Sequence, residues 1–200
     1  DAKQYKEITG FDSLTDVLAG IEEVRKYSIP LKINAVLQRG INEMQWKGLM
    51  ELARDRKIDV RFIEMMPIGY GKRYETIANT QLLEQIRQQY GELEADLQVH
   101  GNGPAVYYRI PGFAGSIGCI SAIHGKFCGQ CNRIRLTSTG QLKPCLCFAE
   151  GTSVREAVRR GEREEVRHLL IQAIAKKPSG HTFENWNQIT EQQEMAKIGG

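Results

Sequence analysis

The chain has 200 residues, of which 41% are hydrophobic and 26% are charged. This length and composition suit one or two domains with a hydrophobic core and exclude wholesale disorder. No apolar run approaches the ~18 residues that a membrane-spanning helix needs, so an integral membrane protein is excluded. The net charge of +3 is too small to indicate a nucleic-acid partner by itself.

The N-terminus lacks the features of a secretory signal. It begins Asp1-Ala2-Lys3, with no initiator methionine, no basic region and no apolar region after it. We therefore expect a cytoplasmic protein from which upstream residues have been removed or were never included. Four of the five cysteines lie within twenty residues, which favours metal or redox chemistry over a disulfide framework.

The first third of the chain has the pattern of an α/β protein. The expected elements are helices over residues 13–29 and 43–56 and strands over residues 31–37 and 60–66. Ser13 and Asn42 are the candidate helix caps, and Pro30 ends the first helix. This alternation predicts parallel strands with crossover helices. Two such units leave sheet edges without partners, so this third resembles the end of a larger barrel or sheet.

The remainder of the chain is punctuated by glycine and has more short strands. The expected elements are helices over residues 80–90, 154–160 and 164–176, and strands over residues 106–110, 116–121, 133–137 and 141–145. The turn Ser138-Thr139-Gly140 joins the last two strands. The change in pattern suggests a division into residues 1–67, the α/β units, and residues 68–200.

The strongest chemical signal is a cysteine motif. Cys128 and Cys131 form a CxxC pair, and Cys145 and Cys147 follow after thirteen intervening residues. A hairpin at Gly140 would return the second pair to the first. Three interpretations stay open from spacing alone: a four-cysteine zinc site, an iron–sulfur cluster on three or four thiolates, or unliganded buried thiols. Three nearby cations are expected to favour thiolate over thiol: Lys126, Arg133 and Lys143.

An arginine pair follows the first two cysteines directly. On a strand, Arg133 and Arg135 would project to one face, and Ile134 and Leu136 would face the core. Two guanidinium groups beside a metal would suit a polyphosphate or a carboxylate. The alternative is an ordinary solvated strand face.

Two positions at the ends of the early strands are less specific. Lys32 shares a strand face with Asn34 and points either to a sheet edge or into a site. Met65 and Met66 close the second strand, where core packing is the usual role of methionine and a cofactor contact the alternative.

Taken together, these residues resemble a known family. The stretch from Phe127 to Cys145, FCGQCNRIRLTSTGQLKPC, is similar to the C-terminal cluster motif of the GTP 3′,8-cyclase family. The members of this family are radical S-adenosylmethionine enzymes of molybdenum cofactor biosynthesis. Weaker similarities fall in the same order along the chain: LKINAV from Leu31, RFIEMMP from Arg61, Lys177-Pro178 with His181-Thr182-Phe183, and MAKIGG from Met195.

The resemblance implies a site and a fold. Cys128, Cys131 and Cys145 would hold a [4Fe–4S] cluster with one iron left open to the guanine base of GTP, and Cys147 would be a neighbour. The substrate-binding residues would be Lys32, Arg133, Ile134 and Arg135. Met66 would contact S-adenosylmethionine, and Gly199 and Gly200 would reach the active site. The fold would be the C-terminal part of an incomplete (β/α) barrel, with an α+β iron–sulfur domain over residues 68–200.

One departure from the family pattern bears on activity. Radical chemistry in this family requires an N-terminal cluster on a CxxxCxxC motif, and this spacing does not occur here. The resemblance therefore implies a C-terminal portion that binds a cluster and GTP but generates no radical alone. Its expected partner is the missing N-terminal part, which would supply the second [4Fe–4S] cluster and most of the S-adenosylmethionine site; a homodimer stays open.

Overall fold

A computed structural model describes residues 1–198, which fall into two compact units. The first unit comprises Asp1–Met65 and Glu75–His124, and the second comprises Met66–Tyr74 and Gly125–Gly200. Gly199 and Gly200 lie outside the described residues, so the role predicted for them has no structural counterpart here. No helix within residues 1–198 is long and apolar enough to span a bilayer.

The helices of the first unit are α1 (Ala2–Thr9), α2 (Leu14–Arg25), α3 (Trp46–Arg54) and α4 (Asn79–Tyr90). Its strands are β1 (Leu31–Val36), β2 (Ile58–Ile63), β3 (Glu94–Ala95), β4 (Val106–Arg109) and β5 (Ile117–Ile120). Helix α3 begins later than expected. Asn42 does not cap it: the Asn42 amide donates to the Val36 carbonyl, and its oxygen accepts from the Gln38 N–H at 2.6 Å.

The five strands form one mixed sheet in the order β1-β2-β5-β4-β3. Strands β1, β2 and β5 are parallel, and β4 and β3 extend the sheet antiparallel. The parallel pairing of β1 with β2 confirms the prediction from the helix–strand alternation. Because β4 and β5 complete this sheet, the compact units differ from a division after Pro67: the first unit continues to His124.

The two faces of the sheet differ in polarity. Ile58, Val60 and Phe62 alternate along β2 on the buried face, where they pack in the core with residues of α3 and α4 such as Met50 and Ile86. The intervening residues of β2 lie on the opposite face, which is polar. This alternation is what a half-buried strand requires.

The polar face combines side chains from neighbouring strands. Lys32 and Asn34 of β1 pair in register with Asp59 and Arg61 of β2, and the Arg61 Nε donates to the Asn34 Oδ1 at 2.7 Å. On β5, a Cβ added at Gly118 would lie 2.9 Å from the Arg61 Cγ and 3.0 Å from the Tyr107 ring. Glycine therefore leaves the space that these two side chains fill.

A buried carboxylate lies directly after β2. Glu64 is 1% exposed, and its oxygens accept from the backbone N–H groups of Asn79 at 3.0 Å, Ile123 at 2.8 Å and His124 at 3.0 Å. The His124 Nδ1 lies 3.2 Å away. Glu64 thus connects β2 to the start of α4 and to the segment that follows β5.

We expect Glu64→Gln to destabilise the protein by about 3 kcal/mol. The glutamine side chain would make neutral hydrogen bonds in place of charge-assisted ones. Its NH₂ group would also face backbone N–H groups, which cannot accept a hydrogen bond. Thermal unfolding of this variant should be compared with that of Glu92→Gln, at an exposed position. Equal unfolding temperatures for the two variants would contradict the role assigned to Glu64.

The second unit is built on a small antiparallel sheet. Its strands are β6 (Arg135–Leu136), β7 (Gln141–Lys143) and β8 (Thr152–Ser153), in that order in the sheet, and its helices are α5 (Arg155–Arg159) and α6 (Arg163–Ala175). The predicted hairpin between β6 and β7 is confirmed, with Gly140 at φ 81° in the turn. Leu142, Val154 and Ala173 form a core against which Ile134 packs.

Candidate functional site

The described cysteines differ in burial. Cys128 lies in a 3₁₀ turn, Phe127–Gln130, and Cys131 ends it; Cys145 lies two residues after β7. These three are partly exposed, whereas Cys147 and Cys119 are buried. No disulfide joins any of these five thiols.

The β6–β7 hairpin brings the distant cysteine back to the first pair. Burial raises the pKa of Cys145 by more than a backbone hydrogen bond from Cys147 and the charge of Lys177 lower it. Within residues 1–198, no three His, Cys, Asp or Glu side chains are grouped to hold a metal ion.

Cys147 lies in a different environment from the three partly exposed thiols. Its side chain is fully buried, and its sulfur lies 3.4 Å from the Thr182 hydroxyl and accepts from the Thr182 N–H at 3.5 Å. A thiol in this environment packs as a small apolar residue with a hydrogen-bond partner.

Lys177 joins the two cysteine-bearing segments. Its Nζ donates to the Arg133 carbonyl at 2.7 Å and to the Pro144 carbonyl at 2.8 Å. It therefore holds the chain just after Cys131 against the chain just before Cys145, and its charge favours the Cys145 thiolate. Sequence reasoning noted Lys177-Pro178 only as part of a resemblance and assigned it no role.

Lys143 is buried and paired with a carboxylate, a contact that the sequence did not predict. Its side chain is 4% exposed and pairs at 2.5 Å with Glu191, which is 1% exposed. The same ammonium group donates to the carbonyls of Phe148 at 2.8 Å and Ala149 at 3.1 Å. Lys126 likewise pairs at 2.5 Å with Glu184. No local pattern in the sequence marks Glu191 as the partner of Lys143.

We expect Lys143→Met to destabilise the protein by about 3–5 kcal/mol, because it leaves the Glu191 carboxylate buried without its cation. Adding Glu191→Gln to this variant should recover part of the loss. Calorimetric unfolding of both variants checks this, with Arg160→Met as the control on an exposed ion pair. No recovery in the double variant would show that Lys143 contributes through packing alone.

The same pair predicts a loss of stability in acid. Burial raises the pKa of Glu191, but hydrogen bonds from Lys143 and from the N–H groups of Gln193 and Gln192 lower it by more, so the pKa falls below its usual 4.5. A lowered carboxyl pKa contributes stability above the unfolded value, and this contribution is lost as the pH falls through the folded value. Lys143→Met should therefore reduce the sensitivity of unfolding to pH below about 4.5.

The arginine pair lies partly outside a strand. Strand β6 begins at Arg135, so Arg133 precedes it. Burial lowers the pKa of Arg135, and the neighbouring charge of Arg133 lowers it further, whereas the charge of Cys131 raises it. Arg133 and Cys131 are thus both close enough to Arg135 to influence its charge.

The apolar residues between and after these arginines do not share one environment. Ile134 is partly buried against the core of the second unit, as predicted. Leu136 is 59% exposed, so the prediction that it faces the core is wrong.

The two other predicted site residues lie in different units. Lys32 lies on β1 in the first unit, and its Nζ donates to the main-chain carbonyl of His100. Met66 belongs to the second unit and follows the end of β2, partly buried, with its carbonyl accepting from the Ile68 N–H at 2.8 Å. The second unit contains Cys128, Cys131 and Cys145 together with Arg133, Arg135 and Lys177.

Comparison with known proteins finds a family and several relatives. A model of the Molybdenum Cofactor Synthesis C family matches residues 58–183. The chain is 38% identical over 198 residues to the GTP 3′,8-cyclase of Clostridium perfringens (strain 13 / Type A), covering 98% of this chain and 61% of the relative. It is 37% identical over 202 residues to that of Desulforamulus reducens and 34% identical over 202 residues to that of Moorella thermoacetica, with the same coverage. The chain thus spans about 61% of the length of these curated relatives.

Proposed function

This chain belongs to the Molybdenum Cofactor Synthesis C family, and we propose that it is the C-terminal portion of a GTP 3′,8-cyclase. In this role it would bind a [4Fe–4S] cluster and GTP for the radical cyclisation of GTP in molybdenum cofactor biosynthesis. One observation carries the proposal. Three of the clustered thiols are partly exposed and lie near an arginine pair, whereas the fourth thiol is buried.

The donor chemistry fits an iron–sulfur cluster held by three cysteines. Cys128, Cys131 and Cys145 are the accessible thiols, and Cys147 is engaged with Thr182. Thiolates are the usual protein ligands of iron–sulfur clusters. Such a cluster, when bound on three thiolates, would supply an open iron for the guanine base.

The remaining chain residues would position the nucleotide. Arg133 and Arg135 would bind the triphosphate through charge-assisted hydrogen bonds, with Ile134 anchoring their segment in the core. Lys32 would add an ammonium group from the first unit. Met66 would contact S-adenosylmethionine, and Gly199 and Gly200 would approach the substrate. The parallel strands β1, β2 and β5 support the assignment of the first unit to a partial (β/α) barrel.

The whole enzyme would need a partner portion. The CxxxCxxC motif is not in this sequence, so an N-terminal portion would supply the second cluster and most of the S-adenosylmethionine site. We propose that this chain by itself is inactive.

Anaerobic reconstitution with iron and sulfide tests the proposal. We expect a broad visible absorbance and about four irons for each chain in the C-terminal site. The control is reconstitution with zinc alone. A colourless protein that binds one zinc through all four clustered cysteines would contradict the cluster and indicate a zinc-stabilised binding module.

A further inference from the structure

The polar face of the first unit contains a histidine that the proposed function does not use. The His100 side chain is 11% exposed and lies between two carboxylates. Its Nδ1 is 2.8 Å from the Asp59 Oδ2, and its Nε2 is 3.0 Å from the Asp96 Oδ2. The ring stacks on Tyr107 with centroids 3.9 Å apart and planes 12° apart. All four residues lie in the first unit.

Each ring nitrogen has a carboxyl oxygen within hydrogen-bond distance. An ionised carboxylate accepts hydrogen bonds and donates none. Burial raises the pKa of Asp96, but hydrogen bonds from the Ser116 hydroxyl, the Gln98 N–H and His100 lower it by more, so this acceptor stays ionised. An imidazolium, which carries hydrogen on both nitrogens, can donate to two carboxylates at once.

The charges around His100 come from several strands. Lys32 on β1 and Arg61 on β2 are the neighbouring cations, Asp59 and Asp96 are the carboxylates, and Tyr107 on β4 is the remaining titratable group. With His100 protonated, these groups comprise three cations and two carboxylates. In that protonation state the named groups carry one net positive charge, which suits an anionic ligand.

The His100 backbone holds the Lys32 ammonium group. The Lys32 Nζ donates to the His100 carbonyl. The next residue, Gly101, has φ +116°, and a Cβ added there would lie 3.3 Å from the Lys32 Nζ. The backbone at Gly101, which carries no side chain, therefore lies against the Lys32 ammonium group. The contacts of the His100 ring hold this part of the loop in position.

We propose that His100 is a positioning residue: as an imidazolium between Asp59 and Asp96, it fixes the carbonyl that holds Lys32, and so places the Lys32 ammonium group for the triphosphate of GTP. This inference deepens the proposed function and rests on it for the identity of the anion. His100 itself contacts no substrate in this role.

The binding test uses the full-length, cluster-loaded enzyme and a double-mutant cycle. We expect His100→Gln to weaken the binding of GTP by roughly threefold to tenfold and to leave the binding of guanosine unchanged. In the Lys32→Met background, His100→Gln should have no further effect, because His100 acts through Lys32. Asp59→Asn should weaken GTP in the same direction, and His168→Gln, on the exposed surface of α6, should not.

A second measurement reads the ring directly. Nitrogen NMR of enzyme labelled in its histidine rings, with the His100 signals assigned by their loss in His100→Gln, should show two protonated nitrogens at neutral pH. A neutral ring, or an equal effect of His100→Gln with and without Lys32, would overturn this inference. Failure of the wild-type enzyme to bind GTP, with the ring protonated, would instead overturn the proposed function and with it the identity of the anion.

Discussion

Replacing Cys128, Cys131 or Cys145 with alanine should remove most of the iron from the reconstituted protein, whereas Cys147→Ala should retain it. The three are the partly exposed thiols, and each would supply one thiolate to the cluster, so the loss of one leaves too few ligands. Cys147 is fully buried, and its sulfur contacts the hydroxyl and the N–H of Thr182. Iron and sulfide analysis after anaerobic reconstitution measures the difference.

Cys119→Ala is the matched control for a buried thiol. Cys119 lies on β5, where burial and the charge of Glu64 raise its pKa to about 12. It should therefore keep its proton and bind no iron. Should Cys147→Ala and Cys145→Ala lose iron equally, the three-ligand arrangement would be wrong and four-cysteine coordination would be favoured.

Replacing Arg135 with alanine should weaken the binding of GTP by roughly tenfold to a hundredfold and leave the binding of guanosine nearly unchanged. A charge-assisted hydrogen bond contributes about 1.5–3 kcal/mol, and about 1.4 kcal/mol changes affinity tenfold. Arg135→Lys should recover only part of the affinity, since lysine keeps the charge but lacks the planar donor pair. Titration of both ligands into the full-length, cluster-loaded enzyme measures these affinities.

Two control variants separate phosphate binding from folding. Arg159→Ala removes an exposed arginine of α5 and should not change the affinity for GTP. Ile134→Ala should lower the unfolding temperature, because Ile134 packs against the core of the second unit. Equal losses of GTP and guanosine affinity in Arg135→Ala would mean that the arginine supports the fold, and its assignment to phosphate would be wrong.

Local patterns in the sequence predicted the elements that frame the candidate site. The alternation of helices and strands predicted the parallel pairing of β1 with β2, because apolar periodicity and crossover connections are local properties. The turn at Gly140 predicted the β6–β7 hairpin. The family match over residues 58–183 agrees with the resemblance seen in the cysteine motif.

The features that sequence reasoning missed depend on contacts between distant residues. Lys143 pairs with Glu191, 48 positions away along the chain, and Lys177 bridges carbonyls at positions 133 and 144. None of these contacts leaves a periodic signal in the sequence.

By itself, then, the sequence determined which thiols and cations could carry the chemistry and which segments present them, since residue type and spacing are written along the chain. Only the tertiary structure decided how these groups are used: it buries Cys147 against Thr182, pairs Lys143 with Glu191, and encloses His100 between two carboxylates. The physical reason is that burial and ion pairing are set by groups that meet only when the chain folds, and these surroundings decide which side chains remain available to a ligand.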